Sequence, residues 1–379
     1  MTRVLLSCGE ASGDLYAGAL VRELRALSPD IDVFGLGGPR FVAAGGRQIA
    51  DYRGFSVNGL TEVLGKLPQL AAARRQIIES AEATPPDVFV PIDFWGFNYR
   101  LAQAMTKRGV PVVYYVSPQL WASRPWRMKS MRDVASRVLV IFPFEEAIYT
   151  KAGVPVEFVG HPLVELTSAA TSGQQFLEGH GLSFSSPTVA ILPGSRTNEV
   201  ARILPGLVAA AALVQASVPN VQFVIARAPN LSDDLFEPLR RANLPRAVVV
   251  EGDTDTVLAA ADVTLTASGT ATVQAALHNT PMVIVYRVSG LTYFLGRRLL
   301  TISTFGMPNL IAGSKIVPEL IQRDFTPEAV AREAISMLTD ASRVAHIREG
   351  LRDVRRKLGT VGASHRAAQA ILREATASR

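Results

Sequence analysis

TVAILPGSRTNE, at 188–199, is a short apolar run that empties through Pro193-Gly194-Ser195-Arg196 into a long helical pattern. A strand that opens directly into a helix is the repeating unit of parallel α/β sheets. The same unit recurs outward in both directions. The apolar runs predict strands at 4–7, 33–35, 88–92, 112–116, 138–142 and 157–159. They resume at 188–192, 221–226, 247–250, 262–266 and 282–286. Helical patterns fall between them, as at 15–27, 98–108 and 145–152. The alternation breaks at 165–188, a stretch rich in Ser, Thr and Gly that reads as a linker. Two βαβ sets with a linker between them predict two α/β domains, at 1–165 and 166–325, followed by a helical tail at 326–379. In the tail, Ile347, Leu351, Val354 and Leu358 are spaced to share one helix face. The tail is expected to pack back on the first domain.

Composition agrees with two buried cores. The chain has 379 residues, 48% of them hydrophobic and only 7% aromatic, which suits the aliphatic strands of buried parallel sheets. The formal charge of +6 is carried mostly by arginine, and fits either a solvated surface or one that meets phosphates or an anionic bilayer. No basic stripe with interleaved aromatics is present, so nucleic acid is not an expected partner. Cys8 is the single cysteine, which rules out an intrachain disulfide and favours a reducing compartment. The apolar run at 1–8 is too short for a signal peptide and reads as a first strand. No stretch reaches the ~18 uninterrupted apolar residues of a spanning helix. A cytoplasmic location follows as an expectation.

Ligands of open parallel sheets bind outside the carboxyl ends of the strands, so the strand-to-helix loops are where chemistry is sought. After the first strand comes Gly9-Glu10-Ala11-Ser12-Gly13-Asp14. Its glycines permit a sharp turn, Ser12 or Asp14 suits a helix cap, and Glu10 is an acid at a strand end. The spacing is not GxGxxG, so a dinucleotide cofactor is not expected. Residues 88–98 read VFVPIDFWGFN, with Asp93 isolated among Phe94, Trp95 and Phe97. An apolar setting raises a carboxylate's pKa and suits a general base, though the same acid reads also as one that organises its own turn. In the second half, the Pro193–Arg196 turn offers backbone amides and a helix dipole to phosphate, with the planar fork of Arg196 beside them. Ser268, Gly269 and Thr270 form a similar turn, with Gln274 one helical turn further on. Ser117, Trp121 and His161 lie on other strand-end loops. His161 reads equally as a hinge residue or a ligand. HExxH, CxxC, strand-end DxD and GxSxG patterns are all absent, so neither a metal site nor a serine hydrolase is expected.

Taken together, these loops resemble the lipid-A-disaccharide synthase family of bacterial inverting glycosyltransferases. The matches are GEASGD at 9–14, GGPR at 37–40, EVLGKLP at 62–68, PDVFVPIDF at 86–94, YVSPQLWA at 115–122 and FPFE at 142–145. They continue with FVGHPL at 158–163, LPGSR at 192–196, ASGTA at 267–271, YRVSGLTYFLGRRL at 286–299, PNLIAG at 308–313 and VPELIQ at 317–322. They run in order along nearly the whole chain, and jointly they are specific. The resemblance implies the GT-B architecture, two Rossmann-like domains facing each other across a cleft. It implies transfer of 2,3-diacylglucosamine from its UDP derivative to the 6-hydroxyl of lipid X. The product is a β-1,6-linked tetra-acyl disaccharide 1-phosphate, with release of UDP. It further implies a metal-free, cofactor-free reaction, peripheral attachment to the inner membrane and a possible homodimer. Asp93, Arg196 and Glu10 are then the catalytic candidates. Gly194, Ser195, Arg196, Ser268, Gly269, Thr270, Gln274 and Asn309 are candidates for UDP, and Ser12, Asp14, Ser117 and Trp121 for the acceptor. The chain departs from the family's usual pattern at Gly96, where an acid is common, and at Gln274, where Glu is common. Rival readings are another GT-B UDP-sugar enzyme (a cell-wall glycosyltransferase or a UDP-sugar epimerase) and a non-catalytic nucleotide-sugar-binding relative. These share the fold and the UDP loops but not the ordered motif set.

Acylated substrates call for an apolar surface next to cations. Leu291, Tyr293, Phe294, Leu295, Leu299 and Leu300, beside Arg297 and Arg298, fit equally an interfacial helix or an amphipathic helix buried against the second domain. Leu60, Val63, Leu64 and Leu67, near Lys66, are a second such set. Replacing Arg297 and Arg298 with Gln is expected to weaken binding to anionic vesicles, most visibly at low salt. Sedimentation with such vesicles checks this, and unchanged binding removes the helix from the interface.

Overall fold

The computed structural model describes residues 1–55, 60–120, 125–229, 231–242, 244–288 and 304–377, without the side chains at 54–55, 60–66 and 125. Trp121 and the segment 291–300 lie outside the described residues, as do the side chains of Leu60, Val63 and Leu64. Leu67 is exposed.

The chain divides into two compact units, one of Met1–Pro162 with Leu358–Arg379, the other of Leu163–Lys357. The first holds a parallel sheet of β1 (Arg3–Cys8), β2 (Asp32–Gly37), β3 (Arg47–Asp51), β4 (Val88–Ile92), β5 (Val113–Tyr115), β6 (Arg137–Val140) and β7 (Val156–Phe158). Their order is β3-β2-β1-β4-β5-β6-β7. The chain therefore winds outward from β1 in one direction, then returns to continue from β4 in the other. Every residue of β4 is buried, and so are five of the six residues of β1, as expected for strands covered on both faces. Phe34, Phe89, Leu101 and Met105 fill the core on one side of this sheet.

The second unit repeats the plan. Its strands are β8 (Thr188–Leu192), β9 (Gln222–Arg227), β10 (Ala247–Glu251), β11 (Val263–Ala267), β12 (Met282–Tyr286) and β13 (Glu319–Ile321). They form a parallel sheet in the order β10-β9-β8-β11-β12-β13. The helix Thr197–Ser217 is long and apolar enough to cross a membrane by composition alone. Its Val200, Ile203, Leu204, Leu207, Ala211 and Val214 are instead buried in this unit.

Three features differ from the sequence reading. First, β3 and β13 are additional strands, both at sheet edges. Partly exposed edge strands carry no continuous apolar run, and every residue of β13 is only partly buried. Second, the stretch read as a linker contains the helix Gly173–Gly179, capped by Ser172, with Phe176 and Leu177 buried. Third, the tail divides at Leu358. The helices Pro327–Thr339 and Ala341–Lys357 belong to the second unit, where Ile347, Leu351 and Val354 are buried. Only the helix Ala363–Ala377 belongs to the first, packing on the helix Ala11–Leu27. Arg137–Glu374 and Arg373–Glu157 ion pairs, at 2.8 and 3.0 Å, flank that packing.

Where the chain leaves the first unit it is tightly bound. The His161 amide donates to the Leu358 carbonyl at 2.8 Å. Arg366 donates to the carbonyls of Val159, Thr360 and Val361 at 2.8, 2.9 and 3.0 Å. The His161 ring is buried between Tyr16 and Phe142, at centroid distances of 6.1 and 5.2 Å. Burial holds its pKa down to about 3. In the unfolded chain a histidine titrates near ~6.5. Below that pH the unfolded state takes up a proton that the folded state refuses, so stability falls with pH over the window from 6.5 to about 3. The slope from this group approaches about 1.4 kcal/mol per pH unit. His161→Gln is expected to flatten the decline of the urea midpoint between pH 6.5 and 5 relative to the parent. Parallel pH profiles for the two proteins contradict a neutral buried imidazole.

Candidate active site

Each sheet has one place where the winding reverses, between β1 and β4 in the first and between β8 and β11 in the second. At such a point the two loops diverge and leave a crevice outside the strand ends. All four loops singled out in the sequence sit at these two places.

In the first unit, Cys8 pairs with Ile92, so β1 and β4 finish level. The loop after β1 leads into the helix Ala11–Leu27, with Glu10 exposed in extended conformation at its N-cap. The loop after β4 carries Asp93, exposed, at φ +44°, with Phe94 at φ +49°. The two loops touch, because a Cβ on Gly9 would stand 2.2 Å from the Phe94 ring. Next to them, β5 is followed by Val116 at φ +57°. Left-handed backbone at non-glycine residues, and above all at a β-branched valine, costs energy and persists only where the surroundings enforce it.

The enforcing contacts are on hand. The Asp93 amide donates to the Val116 carbonyl at 3.1 Å, and Val116 donates to Leu139 at 3.1 Å. Asn98, fully buried, presents its Nδ2 to the carbonyls of Ser7, Ile92 and Asp93 at 3.2, 3.3 and 2.9 Å. Its Oδ1 accepts from the Ser7 hydroxyl at 2.6 Å, and the Tyr114 hydroxyl donates to the Asp93 carbonyl at 3.0 Å. Burial pushes the Tyr16 and Tyr114 hydroxyls well above their ordinary pKa, and the charge of Asp93 adds to the shift in both. The aromatic neighbours do not bury the Asp93 carboxylate. Phe94 stacks on Phe97 at 5.5 Å and Trp95 on Tyr99 at 4.7 Å.

Two acceptor candidates turn out to build the site. Asp14 is buried, and its carboxylate accepts from the amides of Gly38, Arg40 and Phe41 at 2.7, 2.9 and 3.1 Å. It caps the helix Pro39–Ala43 and ties GEASGD to GGPR. Ser117 is also buried, with its hydroxyl against that of Tyr149. Both side chains are turned inward, whereas Ser12 is partly exposed on its helix.

In the second unit, Thr266 pairs with Leu192, so β8 and β11 also end together. Gly194 takes φ +121°, and a Cβ there would stand 2.2 Å from the Glu199 carboxylate. The Ser195 amide donates to that same carboxylate at 3.0 Å, so this turn already seats an anionic oxygen. Ser195 and Arg196 are exposed at the start of the helix Thr197–Ser217. Burial raises the Tyr286 pKa, Glu199 adds to the shift and Arg196 opposes it, which places both charges near the end of β12. Gly269, at φ +153°, and Thr270 are exposed at the start of the helix Thr270–Leu277. Ser268 donates its hydroxyl to the Phe305 carbonyl at 3.2 Å. Asn309, a further candidate for UDP, is turned inward. It is buried, with Nδ2 on the Val317 carbonyl and Glu319 at 2.9 and 2.6 Å, and Oδ1 on the amides of Ile316 and Val317 at 2.8 and 3.0 Å. Its hydrogen-bonding capacity is spent inside the unit. Among the described residues, no group of three or more His, Cys, Asp or Glu gathers into a set able to hold a metal.

A family model described as lipid-A-disaccharide synthetase matches residues 4–373. The chain belongs to that family. Lipid-A-disaccharide synthases of Myxococcus xanthus and Trichlorobacter lovleyi are 40% and 41% identical to it, over 98% of this chain and 97% of theirs. That of Koribacter versatilis is 42% identical over 98% of each chain. Among solved structures, the UDP-GlcNAc 2-epimerase from Neisseria meningitidis bound to UDP-GlcNAc superposes with a TM-score of 0.72 at 12% identity, covering 98% of this chain and 100% of that one. A calicheamicin glycosyltransferase superposes at 0.62 and 16%, covering 99% and 98%. These likenesses show the fold, which is the two-domain GT-B fold. Membership of the synthetase family makes the chain a glycosyltransferase of lipid A biosynthesis.

Within this synthetase, the Asn98 clamp yields a direct test. Asn98→Leu removes one hydrogen bond from the Ser7 hydroxyl and one from each of three carbonyls, and is expected to cost about 2–4 kcal/mol. Turnover should fall by at least ~10-fold as the Asp93 loop relaxes. Urea unfolding and activity at a stabilising temperature read the two effects separately. A variant with unchanged midpoint and rate shows that the clamp does not hold Asp93.

Proposed function

We propose that the chain transfers 2,3-diacylglucosamine from UDP-2,3-diacylglucosamine to the 6-hydroxyl of lipid X, giving the β-1,6-linked tetra-acyl disaccharide 1-phosphate and UDP. The observation that carries this reading is the pairing of family membership with two winding reversals of opposite chemistry. Exposed carboxylates stand at one, and an arginine with helix N-termini at the other. The acceptor side is assigned to the first unit and UDP to the second.

A sugar hydroxyl is a weak nucleophile until its proton is withdrawn. Asp93 is the proposed base, with Glu10 the second choice. The proton of the 6-hydroxyl passes to the carboxylate as that oxygen bonds to the anomeric carbon of the donor. The bond from that carbon to the diphosphate breaks, and its electron pair stays on the departing UDP. Arg196 and the amides that follow Pro193 and Ser268 meet the developing charge, Gly194 and Gly269 letting the backbone approach closely. Glu199 must release the Ser195 amide before a phosphate oxygen can take it.

Both lipids are amphiphilic, so the proposal includes peripheral attachment to the anionic face of the inner membrane from the cytoplasmic side. Assembly as a homodimer belongs to the same reading.

Arg196→Ala is expected to lower kcat by about 10²–10³, as for loss of one transition-state donor. Asp93→Asn should lower it by about 10²–10⁴, and Glu10→Gln by less. The assay incubates the protein with both substrates and follows disaccharide and UDP. UDP release that does not require lipid X overturns the transfer reaction, binding without turnover makes the protein a carrier, and a near-active Arg196→Ala removes that residue from the site.

A further inference from the structure

The helix Thr254–Ala260 contributes nothing to the loops assigned above, yet one of its side chains reaches a residue of the proposed UDP site. Gln274 stands one helical turn after Thr270, on the same face of the helix Thr270–Leu277. Its Nε2 donates to Asp255 Oδ1 at 3.1 Å. The Nε2 of His278, a further turn along, lies 3.0 Å from the same oxygen. The Asp255 and His278 side chains are only 22% and 12% exposed.

A glutamine amide has one donor end and one acceptor end, and nothing in the side chain itself decides which end faces outward. An ionised carboxylate decides it, because it can only accept. With one Nε2 hydrogen held by Asp255, the planar amide turns Oε1 away, and Gln274 offers that acceptor beside its second N–H. The natural match for a fixed acceptor beside a diphosphate seat is a hydroxyl of the ribose that carries the diphosphate. We infer that Asp255 is a positioning residue for nucleotide recognition: it orients Gln274 so that its carbonyl accepts from a ribose hydroxyl of the nucleoside diphosphate. A carboxylate at 274 would present acceptors in either orientation. Glutamine needs a neighbour to do so, and Asp255 is that neighbour. This inference rests on the proposed UDP reading of the second unit.

The experiment measures the affinity of the full chain for UDP and for 2′,3′-dideoxy-UDP by calorimetry, and takes their ratio. In the parent, UDP should bind more tightly, by about 5–10-fold for one well-placed hydrogen bond. Asp255→Asn can turn a donor toward Gln274 and let its amide flip, so the ratio should fall toward one. Gln274→Ala should lower the ratio as much, and Asp255→Asn should add nothing in that background. Gln274→Glu placed in the Asp255→Asn protein should restore discrimination, a rescue that a purely structural staple would not show. If Asp255→Asn unfolds the unit, Gln274→Ala and the rescued double variant carry the test. A parent ratio near one, or one that Gln274→Ala leaves intact, overturns the ribose assignment of Gln274. A ratio that falls in Gln274→Ala and persists in folded Asp255→Asn overturns the role of Asp255 alone.

Discussion

The buried amide of Asn98 holds together the ends of the two strands from which the first unit is wound. It engages the carbonyls of Ser7, Ile92 and Asp93 and the hydroxyl of Ser7 at once. A buried polar group so fully satisfied is rigid, because any displacement leaves unmet hydrogen bonds in a medium where they are costly. That rigidity grips the loop in which Asp93 and Phe94 take left-handed conformations.

The two units solve the same geometric problem with different chemistry. In each, a sheet wound outward from a central strand opens a crevice at the reversal, and small residues let the loops approach. In the first unit the crevice gathers acids. In the second it gathers an arginine, amides and the positive ends of two helices, suited to a leaving group that grows more negative. The polar residues of the motifs accordingly divide by direction. Asp93, Glu10, Arg196 and Thr270 face outward, while Asp14, Asn98, Ser117 and Asn309 are spent inside, holding the loops.

The alternation of apolar runs and helices was enough to specify two parallel α/β units, because buried central strands must be continuously apolar. The loop residues that follow β1, β4, β8 and β11 were legible for the same reason, since a strand's end fixes where a loop begins. Edge strands such as β3 and β13 were not legible, because partial exposure leaves no continuous apolar run to read. Nor was the division of the tail at Leu358, since the apolar face of Ile347, Leu351 and Val354 does not say which sheet it covers. Direction was the other thing left open. Asp14 and Asp93 are both acids in glycine-rich loops at strand ends, and nothing local separates them. Only the tertiary structure brings the amides of Gly38, Arg40 and Phe41 to Asp14 and leaves Asp93 exposed, because the groups that bury a carboxylate come from distant parts of the chain.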